Sequence, residues 1–444
     1  MDKPTMHMLS VQEKGGQTKR TNQYIAAVAA AIGAVIAGTI LAWTAPALPQ
    51  LQPAKNATAF NLTGTDNTLL INQNGEVADF LLDTASSGLV SSILAIGAAI
   101  AALPVGVLAQ RLGRRPTILI LSIPFELNWL LIIFANGPGM LIAARFFAGL
   151  GTGGICVAAP MYIGEIAETS IRGSLGAFFQ LFLTVGILFT FVVGGWTHWR
   201  VLSIVSAVLP PLYFITVDNA SRQSGGVRAM LASRATRMAF ICSLGLMFFQ
   251  QFSGINAVIF YTNSIFGAAG SNIKPAIASI IVGVVQTIAT YISSVLIERA
   301  GRKILLLQSS IIMGLTLIVL GIYFKLKDDL YDVSAVGWIP LVCLVLFIIS
   351  FSLGFGPIPW MMMAELFPVE YRGTASGITV IMNWCLVFVV TLCFPIMKDA
   401  IGIYSCFWFF SGFMIICNFF VFFLIPETKG KSLSQIQAML AGRN

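Results

Sequence analysis

The chain has 444 residues, of which 57% are hydrophobic and 10% charged, and its mean hydropathy is +0.87. A water-soluble domain carries about 25% charged residues, so most of this surface must face lipid. The net charge of +8 raises the question of a nucleic-acid partner, but the basic residues sit in short loops between apolar runs, where membrane topology accounts for them and no nucleic acid is needed.

A helix needs roughly 20 mostly apolar residues to cross a bilayer, whereas a strand-built barrel reads as alternating segments of about 10. Here the apolar runs are long and continuous, which predicts an all-α membrane protein. Residues 1–23 are polar, form an N-terminal tail, and hold no apolar stretch ending in a small-residue cleavage site. Twelve spans follow, at 24–48, 87–109, 117–135, 139–162, 173–196, 199–217, 238–267, 275–297, 303–324, 336–362, 373–397 and 401–425. Residues 24–217 make an N-terminal six-helix bundle, 218–237 a short linker, 238–425 a C-terminal six-helix bundle and 426–444 the C-terminal tail.

An even number of spans puts both termini on one side. Nineteen of the 26 Lys and Arg fall on that side, so the positive-inside bias makes the termini cytoplasmic. The long loop between spans one and two is then external, and it carries two glycosylation sequons, at Asn56 and Asn61. The seven cysteines all lie within spans. They show neither disulfide nor metal-ligand spacing and read as small core residues, so no metal or cofactor is expected. His7 in the tail and His198 in an outer loop pair with no nucleophile, so an enzyme is not expected.

The two halves repeat one another. Residues 106–115 read GVLAQRLGRR and residues 294–303 read SVLIERAGRK, an offset of 188. Glu165 and Arg172 precede Gly173 as Glu365 and Arg372 precede Gly373, an offset of 200. A parallel repeat suits a substrate site at mid-membrane between the halves, reached alternately from each face. The charged loop residues Arg111, Arg115, Glu165, Arg172, Glu298, Arg299, Arg302, Glu365 and Arg372 can form a network across the halves when they close on the cytoplasmic side. Exposed pairs contribute only about 0–1 kcal/mol each, so such a gate can be made and broken. The plainer reading is that these charges stop helices and set topology.

Several segments resemble the sugar porters of the major facilitator superfamily. They are GVLAQRLGRR, PMYIGEIAETSIRG (160–173), QQFSGINAV (250–258), LIERAGRK (296–303), GFGPIPW (354–360), AELFPVEYRG (364–373) and PETKG (426–430), in family order along nearly the whole chain. The wording of PMYIGEIAE, FGPIPW and ELFPVEYRG is similar to that of insect facilitators of trehalose and glucose. Two departures stand out: Gln110 occupies a position where the family has Asp, and residues 214–237 lack the family's Pro-Glu-Ser-Pro motif and the cytoplasmic segment after it.

A sugar offers hydroxyls and apolar C–H faces, so its site calls for neutral amides and an aromatic surface. Span seven supplies Gln250, Gln251 and Asn256, with Gly254 placed to break the helix; as interhelical glue alone such amides would contribute about 0.6 kcal/mol per bond. The resemblance implies sugar contacts at Gln180, Gln250, Gln251, Asn256, Trp360 and Asn383, and at Gln286, where the glucose facilitators carry Asn. It places Phe260 and Tyr261 as outer-gate aromatics, and Ser352 where those facilitators carry Glu. Pro357 and Pro359 remove backbone donors in span ten and predict a hinge beside Trp360, or a static kink.

Residues 24–48 hold no ionisable side chain except Tyr24, which favours a facilitator over a proton symporter. Glu126 in span three is the remaining intramembrane acid; it could couple protons, snorkel, or pair with Arg145. The expectation is a monomeric plasma-membrane facilitator of a sugar. The alternatives are a proton-coupled symporter and a sugar-sensing receptor of transporter form, the latter disfavoured by tails of 23 and 19 residues.

Overall fold

The computed structural model describes residues 20–53, 72, 80–168, 171–216, 234–269, 274–368 and 372–442. Among them every regular element is helical, apart from one isolated bridge between Pro53 and Asn72. Eleven segments are long and apolar enough to cross a membrane, and Trp199–Tyr213 is a shorter twelfth. The sequon residues Asn56 and Asn61, and all of the linker up to Arg234, lie outside the described residues.

Span one is Arg20–Ala42 continued by Thr44–Leu51; spans two to five are Thr84–Arg111, Arg114–Ile133, Pro138–Ile166 and Arg172–Gly194; span six joins Trp199–Ser206 to Leu209–Thr216. Span seven joins Arg234–Gln251 to Ile255–Ala269, spans eight and nine are Pro275–Ala300 and Arg302–Asp328, and span ten joins Ile339–Leu353 to Ile358–Leu366. Spans eleven and twelve are Arg372–Ile401 and Ile403–Leu424, and a short helix, Leu433–Leu440, follows. The interruptions have local causes. Pro46 cannot donate to the Ala42 carbonyl, so the hydrogen-bond ladder of span one lapses at Trp43, which keeps helical angles. Pro210 and Pro211 cannot donate to the carbonyls of Ser206 and Ala207, so span six breaks where the sequence pattern reads straight through.

The internal repeat is visible in the backbone. Gly113 and Gly301, the twin glycines of RLGRR and RAGRK, turn with φ of +96° and +89° before the next helix starts. Only glycine enters that region without cost. Arg172 and Arg372, the other twins, each reach back five residues to a carbonyl, that of Ala167 (3.5 Å) and that of Phe367 (3.3 Å).

Within the first half, helices cross at backbone contact. A Cβ placed on Gly38 would stand 2.1 Å from the Leu183 carbonyl oxygen, and one on Gly149 would stand 2.0 Å from that of Leu94. Spans one and five, and two and four, are therefore held by van der Waals contact of small residues, the usual glue where lipid removes the hydrophobic drive. The second half packs through larger groups: Gly245 faces the Phe420 ring, and Phe252 stacks on Phe413 with centroids 4.4 Å apart. Five of the seven cysteines are buried as expected; Cys393 is half-buried and Cys385 exposed, because its position in span eleven faces away from the bundle.

The halves touch on both faces. On the face that bears the termini, Gly173 N–H donates to Glu298 (2.7 Å) and Ser174 Oγ to the Ser294 carbonyl (2.8 Å). On the same face the twins Gly164 and Ala364 meet: a Cβ on Gly164 would lie 2.6 Å from that of Ala364. On the opposite face Gly283 of span eight lies against Phe191 and Leu188 of span five.

Candidate substrate site

Between these two contact zones, spans seven, ten and eleven bring a chain of uncharged amides together. Gln250 is the hub. Its Nε2 donates to the carbonyls of Phe355 (2.7 Å) and Gly356 (3.3 Å), and its Oε1 accepts from Asn383 Nδ2 (3.2 Å) and Gln251 Nε2 (3.4 Å). Gln251 Oε1 in turn accepts from Asn256 Nδ2. Gln250, Gln251 and Asn383 are all almost fully buried and Asn256 partly so.

Two helix breaks make this possible. In span seven Gly254 adopts φ +84°, Ser253 Oγ donates to the Gln250 carbonyl (2.7 Å), and the Ile255 N–H reaches Ser253 Oγ (3.3 Å). Backbone groups freed by the break are thus satisfied locally, as they must be at membrane depth. In span ten the turn Gly354–Pro357 exposes the Phe355 and Gly356 carbonyls that Gln250 takes. Pro357 and Pro359 start its second segment, which carries Trp360. The Trp360 ring crosses to the first half and packs on Phe179, centroids 5.5 Å apart, next to Gln180 of span five.

A second set of polar groups is buried with no partner: both side-chain atoms of Gln286, Ser352 Oγ and Trp384 Nε1. Trp384, beside Asn383, was not singled out from the sequence. A tryptophan in an apolar span ordinarily signals packing, and only its orphaned N–H marks it here.

Phe260 is fully buried; Tyr261 sits at a kink (φ −115°, ψ 19°), donates to the Thr391 carbonyl (3.2 Å) and packs on Phe394. Of the charged loop residues, Arg302 makes ion pairs with Glu365 (2.9 Å) and Glu298 (3.3 Å), and Glu365 also accepts from Thr428 (2.5 Å). Glu427 caps span nine through the N–H groups of Arg302 and Lys303 (3.1 and 3.0 Å). Arg111 and Arg299 are exposed, Glu165 is half-buried, and the Arg115 side chain lies outside the described residues. Among the described residues Glu126 and Arg145 make no ion pair with each other, and Arg145 instead donates to the Val90 and Ile40 carbonyls. Asn128, two residues after Glu126, is the side chain that faces span four, at the Ala144 carbonyl; two residues are about 200° of helix, which turns Glu126 away.

The arrangement is two six-span bundles around a neutral polar centre. Known proteins agree. The family model described as "Sugar (and other) transporter" matches residues 26–218 and again 216–440, so each half carries its own match and the chain belongs to that family. The facilitated trehalose transporter Tret1 of Polypedilum vanderplanki is 35% identical over 95% of this chain and 88% of its own length. Tret1-1 of Drosophila sechellia and trehalose transporter 1 of Drosophila melanogaster are each 37% identical over 95% of this chain. The chain spans 52% of the length of those two Drosophila relatives. Among solved structures, the proton:xylose symporter XylE bound to 6-bromo-6-deoxy-D-glucose superposes with a TM-score of 0.77 at 20% identity, covering 95% of this chain and 99% of that one. The fold is that of the major facilitator superfamily, and the chain is a multi-pass membrane protein.

Proposed function

We propose that the chain carries a neutral sugar of the trehalose or glucose class down its gradient by alternating access, as a monomer in the plasma membrane with both termini cytoplasmic. The observation that carries this reading is the buried, uncharged chain Asn383–Gln250–Gln251–Asn256 beside an indole that bridges the halves. Neutral amides exchange bonds with sugar hydroxyls without stranding a charge, and an indole face suits the C–H face of a ring. The printed names of the relatives, trehalose transporters over 95% of the chain, support the same substrate class. Gln180, Gln286, Ser352 and Trp384 complete the set of polar groups offered to the sugar. Phe260 and Tyr261 close the outer side, and the segment from Pro357 onward swings Trp360 on the inner side. The Arg302–Glu365–Glu298 cluster latches the cytoplasmic ends.

The test is counterflow of labelled trehalose and of labelled glucose in liposomes holding the purified chain. Uptake of at least one sugar without a pH gradient is expected, and Gln251→Ala combined with Trp360→Ala should abolish it. Unaltered flux in that double variant would sink the reading. One observation keeps the symporter in view: Glu126 Oε2 is buried without a partner. Sugar-dependent alkalinisation outside the vesicles, lost in Glu126→Gln, would establish it instead.

A further inference from the structure

Arg145 of span four is fully buried in the first bundle. Its Nη1 donates to the Ile40 carbonyl of span one (2.6 Å), its Nε to the Val90 carbonyl of span two (3.2 Å), and its guanidinium lies 5.8 Å from the centroid of the Trp43 ring. Among the described residues no carboxylate stands within ion-pair distance of it and Nη2 has no partner. A buried guanidinium cannot give up its proton, so it needs either an anion or a full set of acceptors. Two carbonyls supply neither.

Two further orphans point to the same place. Thr44 Oγ1 and Ser87 Oγ are buried without partners. Thr44 follows Ile40 by four residues, and Trp43 between them keeps helical angles (φ −53°, ψ −36°), so Thr44 lies on the same face of span one, one turn further from the termini-bearing side. Ser87 precedes Val90 by three residues and, because span two runs the other way, also lies one turn further along on its face. A helical threonine ordinarily bonds the carbonyl four residues back, and for Thr44 that carbonyl, of Ile40, is already held by Arg145. Arg145 Nη2 and, towards the outer side, the Thr44 and Ser87 hydroxyls are thus three donors without acceptors on the facing sides of three helices. Unsatisfied donors around a fixed positive charge define a site for an acceptor that is itself negative.

We propose that the chain binds a small inorganic anion of the chloride class between spans one, two and four, ligated by Arg145 Nη2 and the hydroxyls of Thr44 and Ser87. The anion neutralises the buried charge and pins the outer ends of spans one and two to span four, and it takes no part in holding the sugar. Its test therefore reads stability rather than transport. Thermal unfolding of the purified full-length chain is followed by tryptophan fluorescence in sodium chloride and in sodium gluconate of equal ionic strength. Chloride is expected to raise the midpoint saturably, by several degrees, and the rise to vanish in Thr44→Val/Ser87→Ala, which leaves Arg145 and both of its carbonyl bonds in place. A second readout is saturable quenching of Trp43 by iodide, obtained as the difference from Trp43→Phe and displaced by chloride. Equal midpoints in the two salts, or a chloride effect undiminished in the double variant, would overturn the site.

Discussion

Gln250 and Gln286 are both glutamines of the second bundle and both almost wholly buried, yet their energetics are opposite. Gln250 closes four hydrogen bonds, two of them to carbonyls freed by the span-ten turn, whereas neither side-chain atom of Gln286 has a partner. A buried polar group left unsatisfied costs about 1–3 kcal/mol. Gln286→Leu should therefore unfold at or above the wild-type temperature while sugar uptake falls at least fivefold. Gln250→Leu should lower both. If Gln286→Leu destabilised the chain and left transport intact, its amide would be structural after all. The amides of span seven were legible in the sequence because uncharged polar residues amid an apolar run are expensive in lipid, and the motif QQFSGINAV singled them out. Trp384 was not legible, since an indole among aromatics carries no sign of whether its N–H is satisfied. Nor was the grouping of Arg145, Thr44 and Ser87, which are 101 and 58 positions apart in the chain from Arg145 and meet only through the packing of three helices.

Span seven shows how a single glycine turns a helix into a site. Gly254 holds φ +84°, and a Cβ there would stand 2.8 Å from the Phe410 ring, so alanine meets both backbone strain of about 1–2 kcal/mol and a clash with a packed aromatic. Gly254→Ala should lower the unfolding midpoint and cut transport by an order of magnitude or more. Gly412 is a fair control: it is helical and open, with nothing within 4 Å of an added Cβ, so Gly412→Ala should be neutral or slightly stabilising. Equal loss in both variants would mean that the Gly254 break is not what matters. The breaks at Gly254 and at Gly356-Pro357 could be read in advance because Gly and Pro interrupt the pattern beside functional amides. Span six reads as one helix from 199 to 217 because its apolar pattern is continuous, although Pro210 and Pro211 break it at Ala207 and Val208. Hydropathy reports whether a segment can lie in lipid and says nothing of its hydrogen-bond ladder. The crossings of the first bundle were likewise hidden: which glycine meets which backbone depends on helix rotation, and composition does not encode it.

The whole molecule is nearly two-fold symmetric, and one residue breaks the symmetry where the halves meet. Glu298 ends span eight and accepts from Gly173 N–H at the start of span five, a carboxylate at the positive end of a helix dipole. Its twin, Gln110, ends span two against Gly373 at the start of span eleven, so close that a Cβ on Gly373 would stand 2.6 Å from Gln110 Nε2. One latch is charged and the other neutral. A bond to a charged group contributes about 1 kcal/mol more than a neutral one, and about 1.4 kcal/mol is tenfold in an equilibrium, so a single exchange should move the balance between closed and open ends several-fold. The seam can be probed at Ser174, whose hydroxyl bonds the Ser294 carbonyl between the halves. In a Ser174→Cys background, modification by a maleimide added on the termini-bearing side should quicken several-fold with Glu298→Gln and slow with Gln110→Glu. The latter places an acid at the start of span eleven, as Glu298 already is at the start of span five. Identical rates in all three proteins would show that the symmetry-breaking pair does not set how readily this end opens.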